Sequence, residues 1–191
     1  MIGIIDYGLG NMTSVKNALD KLSIANIISR DKNILEKADA LILPGVGAAA
    51  QGMENLQKYD LLDFVREQAK TGKPFLGICL GMQLLFDYSE EGNIACLGII
   101  PGIVKKFSGK IKIPQIGWNN VRTINTKSNS FFYFVNSYYC VPKNKANIAG
   151  ITNYGKDFCS IVVNKNVMGT QFHPEKSGST GLTLLKKFAT L

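Results

Sequence analysis

Cys79 stands between two glycines in the stretch Gly77-Ile78-Cys79-Leu80-Gly81, directly after a short apolar run. This spacing has the form Gly-x-nucleophile-x-Gly, in which a strand turns sharply into a helix and presents the nucleophile on a strained backbone. The first N–H groups of that helix would favour the thiolate, and the Leu80 N–H is placed to stabilise an oxyanion. A buried structural thiol fits the same stretch, because free cysteine is often a small core side chain.

The only histidine of the chain, His173, lies in the stretch Gln-Phe-His-Pro-Glu-Lys-Ser. Pro174 favours an extended conformation at His173, and residues two apart in an extended chain point to the same side. Glu175 is therefore predicted to lie beside the imidazole, where a carboxylate fixes the tautomer and leaves the other ring nitrogen as a base. Cys79, His173 and Glu175 form a candidate nucleophile, base and orienting group. The alternative is a surface loop with a chance histidine.

A third stretch, Pro44-Gly45-Val46-Gly47, follows an apolar strand-like run. Glycines at such a point allow backbone conformations that direct N–H groups into a cleft. Taken alone, the stretch is typical of a plain turn between a strand and a helix. In a mostly parallel sheet the carboxyl ends of the strands share one edge, so this turn is predicted to lie near Cys79 as a candidate oxyanion hole.

The elements that must position these residues alternate in the first half of the chain. Strand-like runs are followed by helical patterns, which predicts a parallel sheet covered by helices on both faces. The predicted strands are 2–6, 24–29, 38–44 and 73–78, and the predicted helices are 12–22, 52–70 in two pieces, and 80–89. The second half carries shorter strand-like runs, interpreted as antiparallel additions to the same sheet, before a helix at 181–191. We expect one domain over residues 1–191, of the α/β class.

Charge and composition narrow the function. The 191 residues carry a formal net charge of +8, but the lysines are scattered and lack interleaved aromatics, which argues against nucleic-acid binding. A solvated face, or a docking face for an acidic partner protein, explains the charge better. No apolar run approaches the ~20 residues of a membrane helix, and no signal peptide is evident, so a cytoplasmic location is expected. The four cysteines are spaced without a metal-binding pattern, and no metal site is expected.

The whole set of motifs resembles the class I, triad-type glutamine amidotransferases, and within them the HisH subunits of imidazole glycerol phosphate synthase. The resemblance covers nearly the full chain. It is carried by the stretches IIDYGLGNMTSV, LPGVGA, PFLGICLGMQLLF, SEEG, LGIIPG, GWN, FYFVNSYY and QFHPEKSG. It implies a flavodoxin-like fold of mostly parallel strands and a glutaminase that needs no cofactor.

The resemblance also implies roles for single residues. Cys79 would attack the side-chain amide of glutamine, with His173 as base and Glu175 as its orienting group. The implied oxyanion and gating residues are Gly45, Val46, Gly47 and Leu80, and the implied glutamine-binding residues are Gln83, Ser137 and Tyr138. Ammonia would pass to a separate HisF-type (β/α)8-barrel cyclase subunit, with Asn11 and Trp118 at the interface. For Gln83 the alternative is a polar residue on a helix face, and for Trp118 a core anchor.

Two positions depart from the pattern that we expect of the family. Gln115, before Gly-Trp, and Asn136, after Phe-Val, stand where we expect histidines. Three interpretations remain open: the glutaminase subunit of histidine biosynthesis, a paralogue that supplies ammonia to a cyclase-like partner in surface-sugar biosynthesis (lipopolysaccharide or flagellar glycan), and a catalytically silent scaffold. The intact Cys79, His173 and Glu175 argue against the scaffold.

Overall fold

A computed structural model of the protein describes residues 1–124 and 129–191. Within these residues, thirteen strands form one mixed sheet. The strands are β1 (Ile2–Ile5), β2 (Asn26–Ser29), β3 (Ala40–Leu43), β4 (Phe75–Ile78), β5 (Phe86–Ser89), β6 (Ile94–Ala95), β7 (Ile100–Lys106), β8 (Gln115–Thr123), β9 (Asn129–Asn136), β10 (Tyr138–Pro142), β11 (Ile148–Asn153), β12 (Asp157–Asn164) and β13 (Val167–Thr170). The helices are α1 (Met12–Lys21), α2 (Lys32–Glu36), α3 (Ala49–Lys58), α4 (Leu62–Gln68), α5 (Leu80–Leu84) and α6 (Gly178–Phe188).

The parallel part of the sheet has the order β2-β1-β3-β4-β13. All residues of β1, β3 and β4 are buried, as expected for strands with helices on both faces. Successive side chains of β3 and β4 alternate between two apolar cores, one packed against α3, α4 and α5 and the other against α1 and α6. The parallel sheet with helices on both faces confirms the predicted fold class.

The remaining strands extend the sheet from β13. β12, β10 and β7 follow in antiparallel order, and β5 then pairs with β7 in parallel. β8, β9 and β11 form a branch that pairs antiparallel through β11 with β12. A third core lies against this branch and is largely aromatic. In it, the rings of Phe132 and Phe172 stack at a centroid distance of 3.9 Å. This stack anchors the residue that immediately precedes His173.

Two sequence predictions need correction. The helix predicted over 80–89 ends at Leu84, because Phe86–Ser89 pairs with β6 and β7 as β5. The closing helix begins at Gly178 rather than at Gly181 and ends at Phe188. The helix pair over 52–70 is confirmed, with its break at Tyr59–Leu61. Within the described residues, none of the helices combines the length and the apolar character needed to cross a bilayer.

Candidate active site

Cys79 lies on a strained turn between β4 and α5. Its backbone has φ 53° and ψ −107°, a region that side-chain-bearing residues rarely occupy. The turn is held by its neighbours: the Cys79 N–H donates to the Thr170 carbonyl at 2.7 Å, and the Cys79 carbonyl accepts from the Gln83 N–H at 3.1 Å. The sharp turn predicted from the two flanking glycines is therefore present in the structure.

Both flanking glycines are required by close backbone approach. A Cβ at Gly81 would lie 1.9 Å from the Leu43 carbonyl oxygen, and a Cβ at Gly77 would lie 2.8 Å from the backbone of Gly81. Neither contact can be relieved by a side-chain movement, because the opposing atoms are backbone. The Gly-x-Cys-x-Gly spacing thus allows α5 to fold back tightly on β4 and on the end of β3.

His173 and Glu175 form a buried pair on the segment that follows β13. Their side chains are each 2% exposed, and His173 Nδ1 lies 2.8 Å from Glu175 Oε1. The backbone of His173 is fixed on both sides: its N–H donates to the Tyr133 carbonyl at 2.9 Å, and its carbonyl accepts from Ser177 Oγ at 2.6 Å. The carboxylate therefore sets the imidazole orientation and leaves Nε2 free to act on a neighbour.

The electrostatic environment favours a charged imidazole. Burial lowers the pKa of His173, but the Cys79 thiolate and then the Glu175 carboxylate outweigh it and raise the pKa of His173 to about 10. At neutral pH the imidazole beside Cys79 thus holds its proton. Such a pair can attack an amide carbonyl and protonate the leaving nitrogen without an external acid.

Cys79 and His173 line the same cavity, of about 300 Å³. Six other predicted site residues line it: Val46, Gly47, Leu80, Gln83, Ser137 and Tyr138. The cavity also has five lining residues that the sequence reasoning did not assign to it: Glu91, Pro114, Val135, Asn136 and Lys176. Two of these residues could have been predicted from the sequence, because Glu91 lies within the stretch SEEG and Lys176 directly follows Glu175. The volume suits a ligand of amino-acid size.

The turn after β3 packs against the start of α5. Gly45 is buried, and a Cβ there would lie 2.6 Å from Tyr7 Oη and 2.7 Å from Leu80 Cβ, so only glycine fits. Tyr7 Oη donates to the Pro44 carbonyl at 2.7 Å. Burial, followed by the nearby Cys79 thiolate, raises the pKa of Tyr7, so the phenol keeps the proton for this bond. The loop therefore packs directly against the start of α5, and Val46, Gly47 and Leu80 line the same cavity as Cys79.

Gln171 is a further neighbour of Cys79 that the sequence reasoning missed. Its side-chain Nε2 lies 3.7 Å from Cys79 Sγ, and its Oε1 accepts from Gln83 Nε2 at 3.1 Å. Gln83 Nε2 also donates to the Tyr138 carbonyl at 3.3 Å. The signal was available, because Gln171 precedes His173 by two residues and so shares its side of an extended chain. The amide of Gln171 is placed to stabilise the thiolate.

The predicted interface residues lie outside the cavity. Asn11 is the N-cap of α1, where its side chain accepts from the Ser14 N–H at 3.2 Å. The preceding Gly10 packs against Gly45, which joins this cap to the turn after β3. Trp118 is 57% exposed and meets Tyr133 edge-on at 6.2 Å. The core-anchor alternative for Trp118 is therefore wrong.

The other three cysteines are buried thiols. Burial raises the pKa of Cys96 to about 11 and that of Cys159 to about 12, and it raises the pKa of Cys140 well above its usual range. They are thus weak nucleophiles at neutral pH. No group of three or more potential metal ligands occurs in the described part of the chain.

Known proteins similar to this chain share its full length. The family described as glutamine amidotransferase class-I matches residues 3–190. The imidazole glycerol phosphate synthase subunit HisH of Moorella thermoacetica is 46% identical, over 100% of this chain and 94% of its own length. HisH of Dehalococcoides mccartyi is 45% identical, over 98% of this chain and 96% of its own length.

Solved structures extend the similarity of fold beyond these sequences. A crystal structure of a glutamine amidotransferase matches with a TM-score of 0.80 at 20% identity, covering 100% of this chain and 99% of that chain. The structure of PurLQS from Thermotoga maritima matches with a TM-score of 0.75 at 18% identity, covering 99% of this chain and 96% of that chain. These structural likenesses show the fold. The family match over residues 3–190 and the sequence matches to HisH subunits establish that the chain belongs to the class I glutamine amidotransferase family, and within it to the group of HisH subunits.

Proposed function

We propose that this chain, acting as one domain over residues 1–191, is the glutaminase subunit of an imidazole glycerol phosphate synthase. It hydrolyses glutamine to glutamate and ammonia, and it delivers the ammonia to a HisF-type (β/α)8-barrel cyclase subunit in a heterodimer. The observation that carries the proposal is the meeting of Cys79 with the buried His173–Glu175 pair in one cavity of amino-acid size. Full-length similarity to HisH subunits supports it.

The first half of the reaction cleaves the amide. The Cys79 thiolate adds to the side-chain carbonyl carbon of glutamine, and the carbonyl oxygen becomes an oxyanion that the Leu80 N–H and the Gly45–Gly47 loop stabilise. His173 gives its proton to the leaving nitrogen, the C–N bond breaks, and ammonia departs. A glutamyl thioester remains on Cys79. The charged state of His173 at neutral pH supplies the acid that this step needs.

The second half hydrolyses the thioester. Neutral His173 takes a proton from water while the water oxygen adds to the thioester carbonyl. The C–S bond then breaks, glutamate leaves, and the Cys79 thiolate and the His173 imidazolium are restored. Glu175 holds the imidazole in one orientation through both halves, because their hydrogen bond at 2.8 Å is buried.

The cavity offers complementary charges for a free amino acid. Glu91 and Lys176 both line it, with opposite charges for the α-ammonium and α-carboxylate groups of glutamine. Glu91 is itself held in place, since its Oε2 accepts from the Ala49 N–H at 2.8 Å. Gln83 and the backbone around Ser137 and Tyr138 line the same wall. This arrangement suits glutamine as a zwitterion.

A partner surface lies beside the cavity, on the outer face of β8 and β9. Its side chains alternate outward on the two strands and are Ile116, Trp118, Phe131, Tyr133 and Val135. Ile116, Trp118 and Phe131 are each about 60% exposed, which marks this β8–β9 outer face as a binding surface. The barrel subunit would cover it with apolar side chains, and acidic groups around them would suit the net charge of +8.

The β8–β9 outer face connects directly to the reacting groups. The Tyr133 carbonyl accepts from the His173 N–H at 2.9 Å, and the Val135 carbonyl lies 3.7 Å from Cys79 Sγ. A partner that shifts β9 would therefore move backbone atoms that contact both the base and the nucleophile. We expect low activity for the isolated chain and stimulation by the barrel partner with its acceptor ligand bound.

The decisive experiment replaces Cys79. Cys79→Ala should abolish glutamate formation from glutamine, by a factor above about 10³, when it is assayed with the cyclase partner present, while the fold persists. Cys96→Ala is the matched control, because Cys96 is an equally buried thiol away from the cavity. Substantial glutaminase activity in Cys79→Ala would sink the assignment.

A growth test identifies the pathway. The gene should restore growth without histidine in a strain that lacks this subunit and contains a compatible cyclase. Failure of growth, despite folded protein and active glutaminase, would point to the paralogue that supplies ammonia for a surface sugar.

A further inference from the structure

Two buried amide side chains face each other beside the Cys79 cavity, and one of them, Asn136, lines it. Gln115 and Asn136 are directly opposed in the β8–β9 ladder and are 2% and 5% exposed. Asn136 lines the cavity itself, and so does Pro114, the residue before Gln115. Val135, next to Asn136, places its carbonyl oxygen 3.7 Å from Cys79 Sγ. Asn136 therefore shares the cavity of the nucleophile, and Gln115 is its direct partner in the ladder.

Most polar atoms of these amides have no partner within the protein. Asn136 Nδ2 donates to the Tyr138 carbonyl at 2.9 Å, which fixes the orientation of that amide. Asn136 Oδ1 and both Gln115 atoms, Oε1 and Nε2, are buried and bond to none of the described residues. A buried polar group without a partner is strongly unfavourable, and native proteins rarely keep one. Three such atoms on facing side chains point to a bound molecule that satisfies them together.

We propose that Gln115 and Asn136 form a binding site for one small neutral molecule, water or ammonia, that is exchanged at Cys79 during glutamine hydrolysis. The inference rests on the proposed glutaminase function. Its chemistry follows from the unpartnered atoms, which are two carbonyl acceptors and one NH₂ donor. Water offers two donors and two lone pairs, and ammonia offers three donors and one lone pair, so each can bond to both carbonyls and accept from the amide.

Water and ammonia both take part in the reaction, one molecule of each per turnover. Each turnover breaks the C–N bond of glutamine and releases one ammonia, and it then consumes one water to cleave the thioester. A site beside Cys79 can hold the ammonia as it departs or the water before it attacks. Two neutral amides provide no countercharge, and burying an unpaired ion is strongly unfavourable, so the site takes neutral ammonia rather than ammonium.

Gln115→Met is the test, because methionine matches the shape of glutamine and removes only atoms that have no protein partner. A purely structural amide would make this variant as stable as the parent or more stable, with unchanged turnover. The proposal expects a loss of kcat for glutamine of roughly tenfold, since two hydrogen bonds to the bound molecule are lost. KM should change less than about twofold, because Gln115 does not line the glutamine cavity.

Gln68→Met is the matched control, since Gln68 is a buried glutamine on α4, away from the cavity. An equal loss of kcat in Gln68→Met, or turnover of Gln115→Met within twofold of the parent, would overturn the site. The latter result combined with an inactive Cys79→Ala would refute this inference alone, whereas an active Cys79→Ala would refute the glutaminase function. If Gln115→Met does not fold, a high-resolution crystal structure of the unaltered protein decides. It should contain an ordered molecule bonded to the Gln115 amide and Asn136 Oδ1, and density without one refutes the site.

Hydroxylamine distinguishes water from ammonia as the molecule held in the site. It intercepts the thioester and gives γ-glutamyl hydroxamate in competition with water. If the site holds water, Gln115→Met slows hydrolysis and raises the ratio of hydroxamate to glutamate several-fold. If the site holds ammonia, that ratio stays constant and the loss appears in the rate of thioester formation in a single turnover.

Discussion

Glu175→Gln isolates the charge of the carboxylate from its position. Glu175 Oε1 accepts from His173, whereas Oε2 is buried without a partner among the described residues. A glutamine carbonyl can take the place of Oε1, and its NH₂ takes the place of the unpartnered oxygen. The variant therefore keeps a neutral hydrogen bond to His173 and loses the negative charge that stabilises the imidazolium.

The magnitude follows from the burial of the pair. Both side chains are 2% exposed, so solvent screens their interaction little. A hydrogen bond to a charged group contributes about 1.5–3 kcal/mol, and 1.36 kcal/mol corresponds to one pH unit in a pKa. Loss of the charge should lower kcat/KM at neutral pH by roughly 10- to 100-fold. It should also lower the pKa of His173, which Glu175 helps to raise to about 10.

The direction in which the pH profile of activity shifts is the decisive measurement. The imidazolium is the acid for ammonia departure, so activity is present below the pKa of His173 and is lost as the pH rises through it. In the parent this loss should occur near pH 10, and in Glu175→Gln it should begin about one to two pH units lower. The assay is glutamate formation with the partner present between pH 6 and 10.5, with thermal unfolding as the check on folding. A variant whose kcat/KM stays within threefold, or whose alkaline limb does not move, would refute the role of the charge.

Two further predictions concern the surface and the thiols. Trp118→Ala should weaken binding of the barrel partner at least tenfold in a titration. Its thermal stability should stay nearly unchanged, because the ring is 57% exposed. Leu191→Ala, at the exposed C-terminus, is the control, and equal affinities of the two variants would count against the β8–β9 outer face as the binding surface. Iodoacetamide at pH 7.5 should modify Cys79 alone and glutamine should protect it, since burial raises the pKa of Cys96, Cys140 and Cys159. Mass spectrometry that finds any of these three labelled as fast as Cys79 would contradict the reasoning.

Local sequence patterns predicted much of the fold. Strands that are buried on both faces consist of continuous apolar runs, and β1, β3 and β4 lie where such runs occur. The helix over 80–89 was wrong because Phe86–Ser89 is decided by pairing with β7, a contact that no local pattern reveals. The strand β10 and the short helix α2 were also missed. β10 follows β9 after a single residue, so no turn signal separates the two runs.

For the site as well, local features could be predicted from the sequence and features that depend on distant contacts could not. The proximity of His173 and Glu175 depends on a two-residue spacing, so the sequence was sufficient to predict it. The opposition of Gln115 and Asn136, which are 21 positions apart in the chain, depends on the register of β8 and β9, which the sequence does not reveal. The charges of Glu91 and Lys176 meet in one cavity only through the packing of distant loops.

The strained turn at Cys79 also bears on how the chain evolves. A residue at φ 53° that is not glycine destabilises the folded state by about 1–3 kcal/mol, and glycine at this position would relieve most of it. The protein would thus fold more stably without its thiol. In a chain kept only as a scaffold, mutation would replace Cys79 by glycine over time, because no loss of activity would oppose the gain in stability. A cysteine held in this conformation therefore marks a position where selection for turnover outweighs selection for stability.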